Sequence, residues 1–237
     1  MRPLLIVKSG TTLPELAARR GDYESWIAAG MGLEPARVRV AAVYADAVLP
    51  APDSLAGVVV TGSSAMVSER APWSERAGAW LGSAALAGTP VLGICYGHQL
   101  LAHALGGRVA RNPRGREIGT IEVRLRAAAR DDALFAELPE PVRMQATHVE
   151  SVLELPAGAR WLASSAGDPH QAFAVGERAW GVQFHPEFDA DIVRAYLTAR
   201  REAVRAEGLD PDALLRGASD SPHGVTLLRR FARLLRD

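Results

Sequence analysis

The chain's only cysteine, Cys95, stands in the run VLGICYGHQLLAHALGG, residues 91–107. Its surroundings, Gly93-Ile94-Cys95-Tyr96-Gly97, read G-x-C-x-G, the thiol form of the nucleophile elbow, which requires a strand before it and a helix after it. A bulky side chain two residues to either side of so sharp a turn collides with the packed strand or helix, and glycine at both places removes the obstacle. The N-terminus of the following helix and any histidine able to accept the proton then favour the thiolate, which a free thiol of pKa about 8.5 scarcely populates at neutral pH. The plain alternative is a small buried apolar side chain, the usual fate of a lone intracellular cysteine. One cysteine can make neither an intrachain disulfide nor a cysteine-based zinc site.

A nucleophile needs a base and a group to orient that base. Of six histidines (His98, His103, His148, His170, His185 and His223), His185 stands out. It lies in WGVQFHPEF, where a strand-like run ends in His-Pro-Glu. Proline stops the strand and stiffens the turn, and Glu187 is placed to hold one tautomer of His185 and stabilise its imidazolium. A surface pair at a strand end is the alternative. His98 and His103 fall on the helix after the elbow, as packing or solvent-facing residues rather than metal ligands, because no other ligand has suitable spacing.

These residues must be positioned by an α/β framework. LLIVKSG from Leu4, RVRVAAV from Arg37, GVVVTG at 57–62 and PVLGI at 90–94 are nearly continuous apolar runs, which suit strands covered on both faces. Helical patterns over 14–29, 73–87 and 97–105 alternate with them, predicting a mostly parallel central sheet flanked by helices. Beyond Gly107, the shorter pieces GTIEVRL, ARWLAS, QAFAV and AWGVQF, with few helices between them, predict a small antiparallel extension. The segment from Asp189 reads as a helix, a loop over 209–224 and a basic helix over 226–237 whose Leu/Phe stripe covers the sheet. Ligands of such sheets collect at the carboxyl ends of the strands, here at TGSS and ICYG.

No composition shift divides the 237 residues, so one domain is expected, with a core over about 4–196 and a helical segment over 197–237. With 27 basic and 27 acidic side chains the formal charge is zero, and neither nucleic acid nor an anionic membrane is an expected partner. The N-terminal apolar run is too short for a signal peptide, and the expected location is cytoplasmic. The arginines between Arg111 and Arg116 read as a solvated loop.

GICYGHQLLAHALGG together with GVQFHPEF resembles the class I glutamine amidotransferases, and RRGDYESWI from Arg19 is similar to their stand-alone, GMP-synthase-like branch. The resemblance runs from Leu4 to about Tyr196 and implies a flavodoxin-like fold, with Cys95 as nucleophile, His185 as general base and Glu187 as the orienting acid. It places Gly62 in the oxyanion loop, with the N–H groups of Gly62 and Tyr96 as donors, although TGSS departs from the commoner Gly-Gly-Pro wording. Gln99 corresponds to a residue that helps hold the substrate glutamine. THVESV resembles the H-x-D-x-V segment of the glutamine pocket, which brings in His148 and Glu150, with Glu150 in place of Asp and Val149 where many members have glycine. The implied reaction hydrolyses the γ-amide of glutamine through a thioester, without metal or organic cofactor, and either a separate synthetase subunit receives the ammonia or the chain acts alone. GASDS lacks the SGGxDS phosphate loop of the ATP-pyrophosphatase that such a synthetase carries. A γ-glutamyl peptidase or amide hydrolase with the same triad, and a non-catalytic regulatory module on this scaffold, are the alternatives.

Overall fold

The computed structural model describes residues 2–235. Parallel strands β2 (Val38–Ala42), β1 (Leu4–Lys8), β3 (Gly57–Val60), β4 (Val91–Ile94) and β11 (Ala179–Val182) lie side by side in that order. The sheet continues antiparallel through β10 (Ala172–Val175), β9 (Arg160–Ser164), β6 (Glu117–Leu125) and β7 (Val142–His148), giving nine strands. A separate two-stranded antiparallel ribbon pairs β5 (Arg108–Arg111) with β8 (Glu150–Glu154).

The apolar runs of β1, β3 and β4 have the cause expected of them, whereas β2, predicted to be covered on both faces, lies at the sheet edge with Arg39 and Val40 exposed. Along β1, Leu4 and Ile6 enter one core, whereas Leu5 and Val7 enter the core on the other face. Helices α1 (Pro14–Arg20), α2 (Tyr23–Met31), α5 (Ala190–Ala199) and α8 (His223–Arg233) bring Leu16, Trp26, Ile192 and Phe231 to the first core. Helices α3 (Pro72–Leu86) and α4 (Tyr96–Ala104) bring Leu81 and Leu100 to the second. The stripe Leu227, Leu228 and Phe231 of α8 is buried as its pattern required, while Arg229 and Arg233 stay in water. Of the predicted 226–237 helix, Arg236 and Asp237 lie outside the described residues.

Three local differences have physical reasons. The pattern over 14–29 forms two helices, because Gly21 adopts φ 79° and the Asp22 carboxylate accepts the N–H of Tyr23 as the N-cap of α2. The expected loop over 209–224 contains α7 (Pro211–Gly217), started by Pro211 and by the Asp210 carboxylate, which accepts the N–H groups of Asp212 and Ala213. A further short helix, α6 (Arg201–Ala206), follows α5 directly. Strands β5, β7 and β8 were not separated as elements by the sequence pattern. The burial of β7 is nearly continuous, and Gln145, Thr147 and His148 put polar groups on its inner positions.

The elbow glycines meet the backbone directly. A Cβ on Gly97 would lie 2.5 Å from the carbonyl oxygen of Val60, and one on Gly93 would fall on the carbonyl of Gly97. Neither obstacle is a side chain that can turn away. Gly97→Ala is therefore expected to destabilise the fold by about 1–3 kcal/mol, as overpacking does. Gly217→Ala, where a Cβ meets nothing within 4 Å, should be neutral or stabilising by up to about 1 kcal/mol. Urea denaturation midpoints of the two variants check the contrast.

Candidate active site

Strand β4 ends at Ile94 and α4 begins at Tyr96, so Cys95 makes the whole turn, with φ 52° and ψ −102°. Such backbone costs on the order of 1–3 kcal/mol and persists where its surroundings determine it. Here the Cys95 N–H donates to the carbonyl of Val182 at 2.8 Å, which continues the β4–β11 pairing into the turn. The thiol sits where the strand ends, buried, with its Sγ 4.0 Å from the Thr147 carbonyl oxygen.

Past Val182, the chain from β11 runs beside this turn. The His185 N–H donates to the Gln145 carbonyl at 2.7 Å, which ties the His-Pro-Glu turn to β7. Nδ1 of His185 donates to Glu187 Oε1 at 2.8 Å, and both side chains are buried. The Phe188 ring stacks on the imidazole with centroids 4.0 Å apart, and Tyr23 stacks at 6.2 Å. With its plane fixed and Nδ1 engaged, His185 has Nε2 for the thiol. Burial disfavours the imidazolium, but Glu187 and the thiolate overcome it and raise His185 to about 10. For Cys95, burial pushes the thiol up, but His185, and more distantly His148, bring it below its ordinary value.

The loop after β3 closes one side. A Cβ on Gly62 would lie 2.8 Å from His185 Cε1 and 3.7 Å from Cys95 Cβ, so only glycine fits against both. Among the described residues the Gly62 N–H has no partner, and the Tyr96 N–H, first in α4, has no intrahelical acceptor. Thr61 steadies this loop: its hydroxyl accepts the N–H of Ser9 and donates to the Gly62 carbonyl, each at 3.0 Å.

The predicted pocket residues line the same cleft, of about 210 Å³. Gln99 Nε2 donates to the Glu150 carbonyl and to Gln183 Oε1, both at 2.9 Å, leaving Oε1 as an acceptor that no protein donor engages among the described residues. Glu150 Oε2 accepts the Ser68 N–H at 3.3 Å. His148 is held more tightly. Its Nδ1 faces the Glu150 carbonyl at 2.9 Å and its Nε2 faces Glu117 Oε2 at 3.0 Å. Both partners only accept, so both nitrogens carry protons and the ring is an imidazolium. Burial opposes this charge, but Glu117 and, at longer range, Asp168 raise the His148 pKa.

Other groups at the cleft were not legible. Arg200, at the end of α5, and Arg116 both line it. The solvated-loop reading holds for Arg114, which is exposed; Arg111 is exposed too but is the last residue of β5, and Arg116 is largely covered and pairs through two bonds of 2.8 and 3.0 Å with Glu207. The only signal for Glu117 was its place in REIG beside those arginines. His98 lies outside this chemistry, fully buried against Phe173 and pushed by burial down to about 3. His103 pairs with Glu75 at 3.0 Å. Among the described residues no group of three or more His, Cys, Asp or Glu side chains could hold a metal ion.

The glutamine amidotransferase class-I family model matches residues 32–199. The glutamine-hydrolyzing GMP synthase of Aquifex aeolicus is 32% identical over 195 residues, which cover 78% of this chain and 33% of that protein. Gamma-glutamyl peptidase 4 of Arabidopsis thaliana is 38% identical over 105 residues, 44% of this chain and 42% of that one. The chain spans about a third of the length of the curated synthases it matches. In fold, a glutamine amido transferase of Methylobacillus flagellatus superposes with a TM-score of 0.81 over 100% of this chain and 96% of its own, at 20% identity. A match that runs through most of the sequence, with the thiol turn and the His-Pro-Glu turn both inside it, establishes that this chain belongs to the class I glutamine amidotransferase family.

Proposed function

We propose that the chain hydrolyses the side-chain amide of glutamine to glutamate and ammonia, and the observation that carries this reading is the buried set of Cys95, His185 and Glu187, with Cys95 lining the cleft. Thiolate Cys95 attacks the amide carbon, and the oxyanion forms toward the free N–H groups of Gly62 and Tyr96, fixed donors that need no reorganisation. Imidazolium His185 gives its Nε2 proton to the departing nitrogen, the C–N bond breaks, and a γ-glutamyl thioester remains. Neutral His185 then takes a proton from water while the water oxygen attacks the thioester. The C–S bond breaks, glutamate leaves, and the thiolate–imidazolium pair is restored. Glu187 holds the ring in the tautomer that both proton transfers require. Gln99, His148 and Glu150 form the glutamine side of the cleft.

The synthases that resemble this chain join glutamine hydrolysis to GMP synthesis by name, and we propose that the ammonia released at Cys95 passes to a synthetase activity. A working thiolate suits a reducing compartment, the cytoplasm. A second reading, hydrolysis of γ-glutamyl peptides by the same residues, is favoured by the likeness to the peptidase of Arabidopsis thaliana.

Cys95→Ala should lower ammonia release from glutamine by roughly ten-thousandfold or more while leaving the melting temperature near that of the parent. A glutamine-like chloroketone should label Cys95 alone. Full activity in Cys95→Ala ends this reading, and rapid cleavage of γ-glutamyl dipeptides with glutamine ignored selects the second.

The charge pairing predicts a pH signature. Thiol alkylation by iodoacetamide needs thiolate, so its rate falls as pH drops through the Cys95 pKa, which lies below the ordinary thiol value. His185→Ala removes the strongest influence lowering that pKa and leaves burial to raise it, so the midpoint should move upward. Each pH unit by which the midpoint rises above 7 slows labelling at pH 7 roughly tenfold. Glu187→Gln keeps a hydrogen-bonding group and should cost less turnover than His185→Ala, whose loss should be on the order of 100- to 10,000-fold. An unmoved alkylation midpoint in His185→Ala would show that the imidazole does not govern the thiol.

A further inference from the structure

A second histidine stands beside the nucleophile and takes no part in the proton transfers. His148 follows Thr147, whose carbonyl oxygen is the 4.0 Å contact of Cys95 Sγ, and His148 and Cys95 line the same cleft. Its buried ring donates from Nδ1 to the Glu150 carbonyl at 2.9 Å and from Nε2 to Glu117 Oε2 at 3.0 Å. Both protons are therefore committed.

The carboxylate that holds this ring sits in a fitted cradle. Glu117, the first residue of β6, receives His148 and Gln171 Nε2 at Oε2, and the Ser165 hydroxyl and the Gly167 N–H at Oε1. A Cβ on Gly167 would collide with Oε1, so the loop after β9 closes on the carboxylate itself. Other groups facing the ring are Asp168 on that loop, with Oδ2 3.9 Å from Nδ1, the Cys95 thiol, and His98 on α4, which burial pushes down to about 3. Asp168 is occupied by the Ser151 hydroxyl at 2.6 Å and the His170 N–H at 2.8 Å. Of the arginines lining the cleft, Arg116 pairs with Glu207 and Arg200 donates to the Thr147 hydroxyl.

We propose that Glu117 is a positioning residue of the reaction, fixing His148 as a permanent cation whose field favours the Cys95 thiolate in every proton state of His185. The proposal rests on the thioester mechanism above and divides its electrostatics between two imidazoles. His185 gives up its charge when it protonates the departing nitrogen and regains it from water. His148 keeps its charge throughout, because a carboxylate and a carbonyl hold both of its N–H groups. At the sulfur, burial opposes the thiolate, His185 favours it most among the charges, and His148 adds to His185.

Glu117→Gln tests this, since the amide oxygen can still accept from His148 while the negative charge is gone and burial returns the ring to its neutral form. The iodoacetamide midpoint of Cys95 should move upward, by less than in His185→Ala, with the plateau rate at high pH unchanged. Adding Glu117→Gln to His185→Ala should move the midpoint up again. In Glu117→Gln alone, kcat/KM for glutamine should fall at pH 7 and recover toward the parent value as pH rises. Nitrogen-15 NMR of the parent reads the premise without a substitution, and decides the matter if the variant does not fold: both nitrogens of His148 should be protonated at pH 7. A neutral His148 in the parent, a midpoint that Glu117→Gln leaves in place in either background, or a loss of kcat/KM that is the same at every pH overturns the proposal. If the midpoints move but no glutamine is hydrolysed at any pH, the functional reading fails and the effect of Glu117 on the thiol stands.

Discussion

The site depends on one pairing of strands. β4 and β11 lie parallel with Ile94 opposite Val182, and the hydrogen bond from the Cys95 N–H to the Val182 carbonyl carries that register one residue past the end of β4. Ninety positions separate Cys95 from His185 in the chain, and this register places them side by side. It also constrains the elbow. With its N–H held by the neighbouring strand and α4 starting at the next residue, Cys95 must turn within itself, and the positive φ follows. The glycines at 93 and 97 exist because the turn presses backbone on backbone.

Around the thiol, burial and charge act in opposition. Desolvation alone would keep Cys95 protonated and His185 neutral, the wrong state for attack. Two buried histidine–carboxylate pairs reverse this: His185 with Glu187 in the triad, and His148 with Glu117 behind the cleft wall. The second is more than a support for β7, because its charge also lowers the thiol pKa. Its carboxylate is well supplied with donors, since Glu117 Oε1 accepts the Ser165 hydroxyl at 2.6 Å and the Gly167 N–H at 3.2 Å. Buried charges of this kind are tolerated when their remaining lone pairs are satisfied.

What the sequence made legible was whatever local chemistry writes down. β1, β3 and β4 are covered on both faces, so their apolar runs are nearly unbroken. The elbow glycines and the His-Pro-Glu turn are local geometric requirements, and they pointed to Cys95, His185 and Glu187. β7 was obscured for the opposite reason. Its inner positions hold Gln145, Thr147 and His148, polar groups buried because they connect to the site, and the alternation of an ordinary strand is lost. Arginines were the least legible. Arg116 and Arg114 look alike in sequence, yet Arg116 meets Glu207 on the turn after α6, while Arg114 stays exposed. Arg200 has meaning only because α5 ends beside Thr147, which no local pattern reports.

Thr147 couples two parts of the cleft that the chain keeps far apart. Its carbonyl faces the sulfur and its hydroxyl holds the Arg200 guanidinium, so any displacement of this one residue in a buried strand disturbs the surroundings of the nucleophile and of the arginine together.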